Sequence, residues 1–289
     1  MREPSPRRAL ALACLLGLLC GFGPSCRGPQ DGSGEDVGGE TPAAAVAGNP
    51  PAAGFDLAGS DPQAIEVADS TMEAMGGRRA WDEARFLVWN FFGFRFHVWD
   101  KQTGDIRVEY ATRDEPVQQV VVLMNLGTRE GRAFVDGQPV ADAEREAELL
   151  QHGYEAWVND GYWLFMPYKL KDSGVTLSWL GERQMLDGRP ADVLQLVFAG
   201  VGVTPENKYD VYVARDSGLV EQWDFYADRA DDEPRFQTPW HDWRPRGAIM
   251  LSGDRGQRQI TEIAVYEELP PSVFDSPEPT GLRQQDETS

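Results

Sequence analysis

Histidines, cysteines and clustered carboxylates are the residues in this chain that could do chemistry. The cysteines, Cys14, Cys20 and Cys26, all precede residue 27. The rest of the chain therefore has no disulfide framework, thiolate zinc site or cysteine nucleophile. His97, His152 and His241 lie far apart, and none has a second histidine or cysteine close by. Each reads as a structural or surface histidine, so no metal site and no cofactor are assigned. His241–Asp242, within DEPRFQTPWHDWRPRG (232–247), could form a general base and its orienter and so a hydrolase site. No nucleophile accompanies the pair, and adjacent side chains diverge. The other reading is an irregular Pro/Trp loop closing one end of the fold. Asp228, Asp231, Asp232 and Glu233 could offer oxygens to Ca²⁺ but lack EF-hand spacing, and read as a solvated turn. HExxH, GxSxG, P-loop and dinucleotide signatures are absent, so no catalytic residue is assigned and no enzyme is read.

The nine tryptophans are the more unusual feature. Trp163, Leu164, Phe165, Met166 and Pro167 form an apolar block without helical or strand period. One reading makes it a lid or lining over an apolar cavity, with Trp89, Phe91, Trp163, Phe165, Met166, Trp223 and Phe225 as ligand-binding residues. The other is ordinary core packing. Lys169 and Lys171 beside the block either meet an anionic headgroup or are solvated.

The elements that must position these residues are mostly strands. Residues 63–75 carry apolar side chains at helical spacing. Asp61 suits the N-cap, Pro62 the first turn, and Gly76–Gly77 the end. Segment 86–100 is dense in aromatic and β-branched residues on both faces, with a bend or turn at Gly93. Strands are expected at 105–111, 118–126 and 129–135, then a hairpin signal at Asp136–Gly137 and a helix over 141–160. Further strands are expected at 175–182, 191–198, 208–214, 219–227, 247–254 and 257–267. Turns at Asp187–Gly188 and Asp216–Ser217–Gly218 join them. Strands at this spacing predict an antiparallel meander curled into a sandwich or open barrel.

Residues 1–25 have the layout of an export signal: Arg2, Arg7 and Arg8, then an apolar run from Ala9 to Gly23. The run falls short of the ~20 residues that span a bilayer. Cys26 follows small residues and is the expected lipidation site. Arg27 behind it is not the aspartate of an inner-membrane retention signal, which points to the outer membrane, facing the periplasm. Residues 26–61, rich in Gly, Ala, Pro and acids, are expected to be a disordered tether. A single domain is expected over 62–275, with a disordered tail at 276–289. The net charge of −20 offers no basic patch for phosphates, so nucleic acid is not an expected partner.

The order of strands and turns from Val175 to Tyr226 resembles the LolA/LolB-type periplasmic lipoprotein carriers and their outer-membrane lipoprotein-sorting relatives. The carrying segments are Gly181–Glu182, Asp187–Gly188–Arg189, ADVLQLVF and KYDVYVARDSGLVEQWDFY. The helix ending Met75–Gly76–Gly77 and the helical insert at 141–160 fit the same pattern. The resemblance implies an α+β fold, mostly β: a curled antiparallel sheet forming an open half-barrel with helices on its concave face. It also implies a hydrophobic ligand there, such as a lipid or the acyl chain of a lipidated protein. A membrane-anchored chain would be a fixed acceptor or sensor rather than a shuttle. The alternative is an envelope protein-interaction module on the same scaffold with a filled core, its exposed aromatic patch at Trp240 and Trp243.

Overall fold

A computed structural model describes residues 48–199 and 206–283. The signal segment and Cys26 lie outside the described residues. Two helices come first, α1 (Pro62–Ala74) and α2 (Gly77–Glu83). Strands β1 (Phe86–Phe91), β2 (Arg95–Asp100), β3 (Asp105–Ala111), β4 (Gln119–Asn125), β5 (Gly131–Val135) and β6 (Gln138–Pro139) follow. The long helix α3 (Ala143–Phe165) runs into a 3-10 turn (Met166–Lys169). The second half holds β7 (Val175–Gln184), β8 (Pro190–Phe198), β9 (Lys208–Ala214), β10 (Val220–Tyr226), β11 (Phe236–Pro239), β12 (His241–Arg246), β13 (Ile249–Asp254) and β14 (Ile260–Tyr266). A short α4 (Ser272–Asp275) ends the described elements.

The strands form three antiparallel sheets, ordered β14-β1-β2-β3-β4-β5-β6, β11-β10-β9-β8-β7 and β12-β13. None closes into a barrel, and the class is α+β, mostly β. Hairpins account for nearly every neighbour. The exception is β14, which crosses back to pair with β1 in the register Phe86↔Tyr266 to Phe91↔Ile260. Phe92 and Gly93, both at positive φ (54° and 75°), turn β1 into β2. Two positive-φ residues match the twist of the flanking strands. β1 is buried on both faces, as its apolar composition requires. Leu87, Trp89 and Phe91 join the main core, and Val88 joins a smaller cluster with Phe96, Val98 and Val273. The main core is one continuous cluster that includes side chains from both large sheets and α3.

The structure departs from the sequence expectations at several places. Asp61 precedes α1, but its carboxylate accepts from the Trp179 amide at 2.8 Å instead of capping the helix. Gly76 (φ 109°) ends α1, and a second helix begins at once with Gly77. Seven residues span under two turns, too few for a period to register. Segment 232–247, expected as an irregular loop, holds β11 and β12. Its prolines mask two short strands, with Pro239 ending one and Pro245 on the two-stranded sheet. Helix α3 continues past residue 160 to Phe165. Asp142 caps it, accepting from the Arg145 amide at 2.8 Å.

Both described ends of the chain are held against the domain. The Asp56 and Asp61 amides donate to the Val175 and Leu177 carbonyls at 3.0 and 2.9 Å, along the edge of β7. In and just past α4, the carbonyls of Val273, Ser276, Pro277 and Glu278 accept from fully buried Arg107 at 2.6–3.2 Å. Residues 48–61 and 276–283 have the composition expected of tether and tail. Backbone groups make these contacts, and every sequence carries those.

Candidate functional site

The aromatic residues named as ligand-binding are gathered in one place. Trp89 is 0% exposed, Phe91 3%, Trp163 5%, Phe165 3%, Met166 0%, Trp223 0% and Phe225 5%. Alternation along β1 and β10 turns their aromatics inward, the last turn of α3 supplies Trp163 and Phe165, and the 3-10 turn after it supplies Met166. Trp163 packs edge-on to Trp223 (4.8 Å between centroids) and Phe165 edge-on to Trp89 (5.1 Å). Gly153 lets α3 approach the sheet closely, since a Cβ there would stand 2.7 Å from Val122 Cγ1. A groove of about 310 Å³ does exist elsewhere, open to solvent and lined by Leu123, Met124, Asn125, Arg132 and Phe274 among others. None of the seven aromatic-block residues lines it.

Within this apolar interior sits a charged cluster that was not read from the sequence. Arg95 and His97 alternate on β2 so that both face α3. Arg95 Nε and Nη2 donate to Asp160 Oδ2 and Oδ1 at 2.5 and 2.7 Å. His97 Nε2 lies 2.7 Å from Asp160 Oδ2, and Asn159 Nδ2 donates to Asp160 Oδ1 at 2.8 Å. Burial opposes charge on both Arg95 and Asp160. Their mutual hydrogen bonds win, holding the Asp160 carboxyl below its usual range and the guanidinium above its own. Burial lowers the His97 pKa and outweighs the neighbouring carboxylate. The ring is therefore neutral and donates through Nε2, which leaves Nδ1 buried with no hydrogen-bond partner. Trp89 stacks on the ring at 4.6 Å and 8°. Next to it, burial pushes the Tyr110 hydroxyl up to about 12, and His152 meets the Tyr110 ring edge-on at 5.0 Å.

This arrangement can orient and lock. His97 and Asp160 have the chemistry of a base and its orienter, but both side chains are 0% exposed. The cluster pins α3 to β2. Its only sequence signal was polar residues inside otherwise apolar segments.

The other candidates separate. His241 and Asp242 do not form a dyad, because Asp242 (φ 58°) directs its carboxylate to Arg244 Nε at 2.7 Å. Trp240, expected in an exposed patch, is 0% exposed beneath the Arg255 guanidinium (3.7 Å), and Trp243 donates Nε1 to the Val220 carbonyl at 2.8 Å. Burial lowers Arg255 to about 9, so it stays protonated at neutral pH; its Nη1 and Nη2 donate to carbonyls including Trp163 O at 2.7 Å, while Nε is left buried with no partner. Asp228 and Asp231 accept backbone amides within their own turn. Lys171 is buried on Asp69, and Lys169 pairs with Asp172 at 2.5 Å, so neither is a spare cation for a headgroup.

No family model matches this chain, and no curated protein matches it. Among solved structures, it is similar to a DUF1329 family protein from Desulfovibrio piger ATCC 29098. The likeness has 13% identity and a TM-score of 0.39, and covers 73% of this chain and 96% of that one. It is also similar to MucB in two complexes with MucA, one of them described as from Pseudomonas aeruginosa. Those likenesses have 18% and 17% identity and TM-scores of 0.21 and 0.19. The chain spans about half the length of each MucB chain matched (50% and 49%). Likenesses this distant carry no functional argument. No described helix is long and apolar enough to cross a membrane.

Proposed function

We propose that this chain is an exported envelope protein whose sheets make a filled half-barrel around α3, and that it acts as a protein-interaction module. The observation that supports this reading is the packing of the aromatic block. All seven side chains suited to line an apolar cavity are at most 5% exposed and belong to one core. An acyl chain would have to displace α3, and with it the Arg95–Asp160 ion pair. Removing one partner from such a pair costs about 3–5 kcal/mol. The export signal and Cys26 support a lipid anchor at the outer membrane, with the domain held as a fixed acceptor.

The competing reading is a carrier or sensor of a lipid or lipoprotein acyl chain. The two part on what the purified domain holds. Organic extraction and mass spectrometry of protein purified without detergent should find no stoichiometric lipid. Titration with a fatty acid should leave the tryptophan emission unchanged. One lipid per chain, or a saturable emission shift, would overturn the interaction reading in favour of the carrier.

A further inference from the structure

The β7–β8 turn, a bulge in β10 and the start of β12 meet at one end of the five-stranded sheet. Asp187 belongs to the β7–β8 turn, which Gly188 (φ 84°) closes. Glu221 lies in β10 at a bulge: Val220 and Gln222 pair with the consecutive residues Val213 and Tyr212, so Glu221 is the extra one. A bulge re-aims the side chain it frees. The Glu221 carbonyl accepts from the Trp240 amide at 2.8 Å, which draws the start of β12, and so His241, alongside. One carboxylate oxygen from Asp187, one from Glu221 and one imidazole nitrogen from His241 all lie within 4.8 Å of one another.

Two features set this group apart from an ordinary surface ion network. The first is charge. Asp187, Asp216 and Glu221 share a single guanidinium, that of Arg189, which pairs with all three. Three negative charges against one leave a net deficit of cations. The second is the state of His241. Its imidazole stands beside two carboxylates yet makes no hydrogen bond among the described residues, so a ring nitrogen is available as a ligand. Asp187 is exposed and the other two are half-buried, which leaves a path for an ion to enter.

We propose that Asp187, Glu221 and His241 bind a divalent transition-metal ion of the Zn²⁺ class. One imidazole and two carboxylates are a set that zinc takes at about 2.0–2.2 Å. In a tetrahedral shell such ligands stand about 3.3–3.6 Å apart, so atoms now within 4.8 Å of one another close in by about 1.5 Å at most. Calcium and magnesium prefer all-oxygen shells, and the imidazole selects against them. Arg189 is the built-in competitor. Carboxylate oxygens carry lone pairs enough for both partners, and Asp216 can retain the guanidinium as the metal enters. The ion would join a turn and two strands far apart in sequence and leave an outer coordination position facing solvent.

The test is calorimetric titration of the chelator-treated full chain with zinc chloride, beside magnesium and calcium chloride. One saturable Zn²⁺ per chain is expected, weakened roughly tenfold or more in Glu221→Gln and His241→Ala. Arg189→Ala is expected to bind at least as tightly as wild type, because it removes the competing cation. Absence of a saturable zinc heat overturns the site, as does binding unchanged in His241→Ala. Far-UV circular dichroism checks each variant. Should His241→Ala fail to fold, Glu221→Gln, which keeps shape and backbone, decides the matter alone.

Discussion

The two halves of α3 are built on different principles. From Ala143 to Glu155 the helix is amphipathic, with Leu149 and Gly153 buried and Glu144, Arg145, Glu148 and Gln151 exposed. From Ala156 to Phe165 every residue is buried. The first half lies on a surface and the second passes through the protein. The second half also carries Asn159 and Asp160, the polar residues one would least expect at full burial. The contrast teaches that a helix enclosed on all sides loses its apolar period and gains a need for specific polar partners, since water can no longer satisfy them.

The sharpest way to break the comparison is Asp160→Ala. It leaves Arg95, whose side chain is 19% exposed, and fully buried His97 without their acceptor. Removing one partner of a buried pair costs about 3–5 kcal/mol, and partial access of Arg95 to water puts this case near 3 kcal/mol. Urea denaturation measures it. A loss below about 1 kcal/mol would mean the pair does not hold the helix. Replacing both Arg95 and Asp160 with apolar residues of similar volume is expected to recover much of the loss, because paired desolvation is removed with the pairing.

The same contrast explains what was legible in the sequence. The amphipathic half of α3 showed its period, and the helix was expected up to residue 160. Residues 161–165 matched neither template because burial on all sides permits apolar residues in any order. Hairpins were readable where turn chemistry is local, as at Gly93, Asp136–Gly137, Asp187–Gly188 and Asp216–Ser217–Gly218. The β14–β1 pairing was not, since it joins the two ends of the domain and no local signal reports a partner so distant. Strands β11 and β12 were hidden by their prolines. The aromatic residues were identified as a group; whether they line a space or fill it depends on packing that composition does not contain. Arg95 and Asp160 drew no reading and His97 was read only as a structural or surface histidine, because each is an isolated polar residue; only the fold shows that they meet.

His97 sharpens the comparison through pH. Its folded pKa is lowered, chiefly by burial, against an unfolded value near 6.5. Below about pH 6.5 the unfolded chain therefore takes up a proton that the folded chain refuses. Stability falls as pH falls, by about 1.4 kcal/mol per unit, until the folded pKa is reached. Above about pH 6.5 the group contributes nothing to the slope. Half-exposed His152 acts in the same direction, its pKa also lowered by burial. Asp160, held below its usual range, adds acid sensitivity only lower still, below about pH 4. Urea midpoints at pH 7.5, 6.0 and 5.0 should show the decline. His97→Gln, which keeps a donor for Asp160, should flatten it by one proton's worth. An identical slope in the variant would show that the ring is not held neutral.

The smallest effect belongs to the surface half of the helix. Arg145 and Glu148 pair at 3.1 Å one turn apart, with side chains 49% and 62% exposed. Exposed helix pairs of this spacing are worth about 0.2–0.5 kcal/mol and are screened by salt. Glu148→Ala also gains helix propensity, a few tenths of a kcal/mol in the opposite direction. The two contributions nearly cancel, so the expected change in the urea midpoint is within about 0.5 kcal/mol and shrinks further as salt is raised. A loss near 1 kcal/mol would place Glu148 in a contact that its exposure does not show. The two halves of the helix would then differ less in their tolerance of substitution than their burial implies.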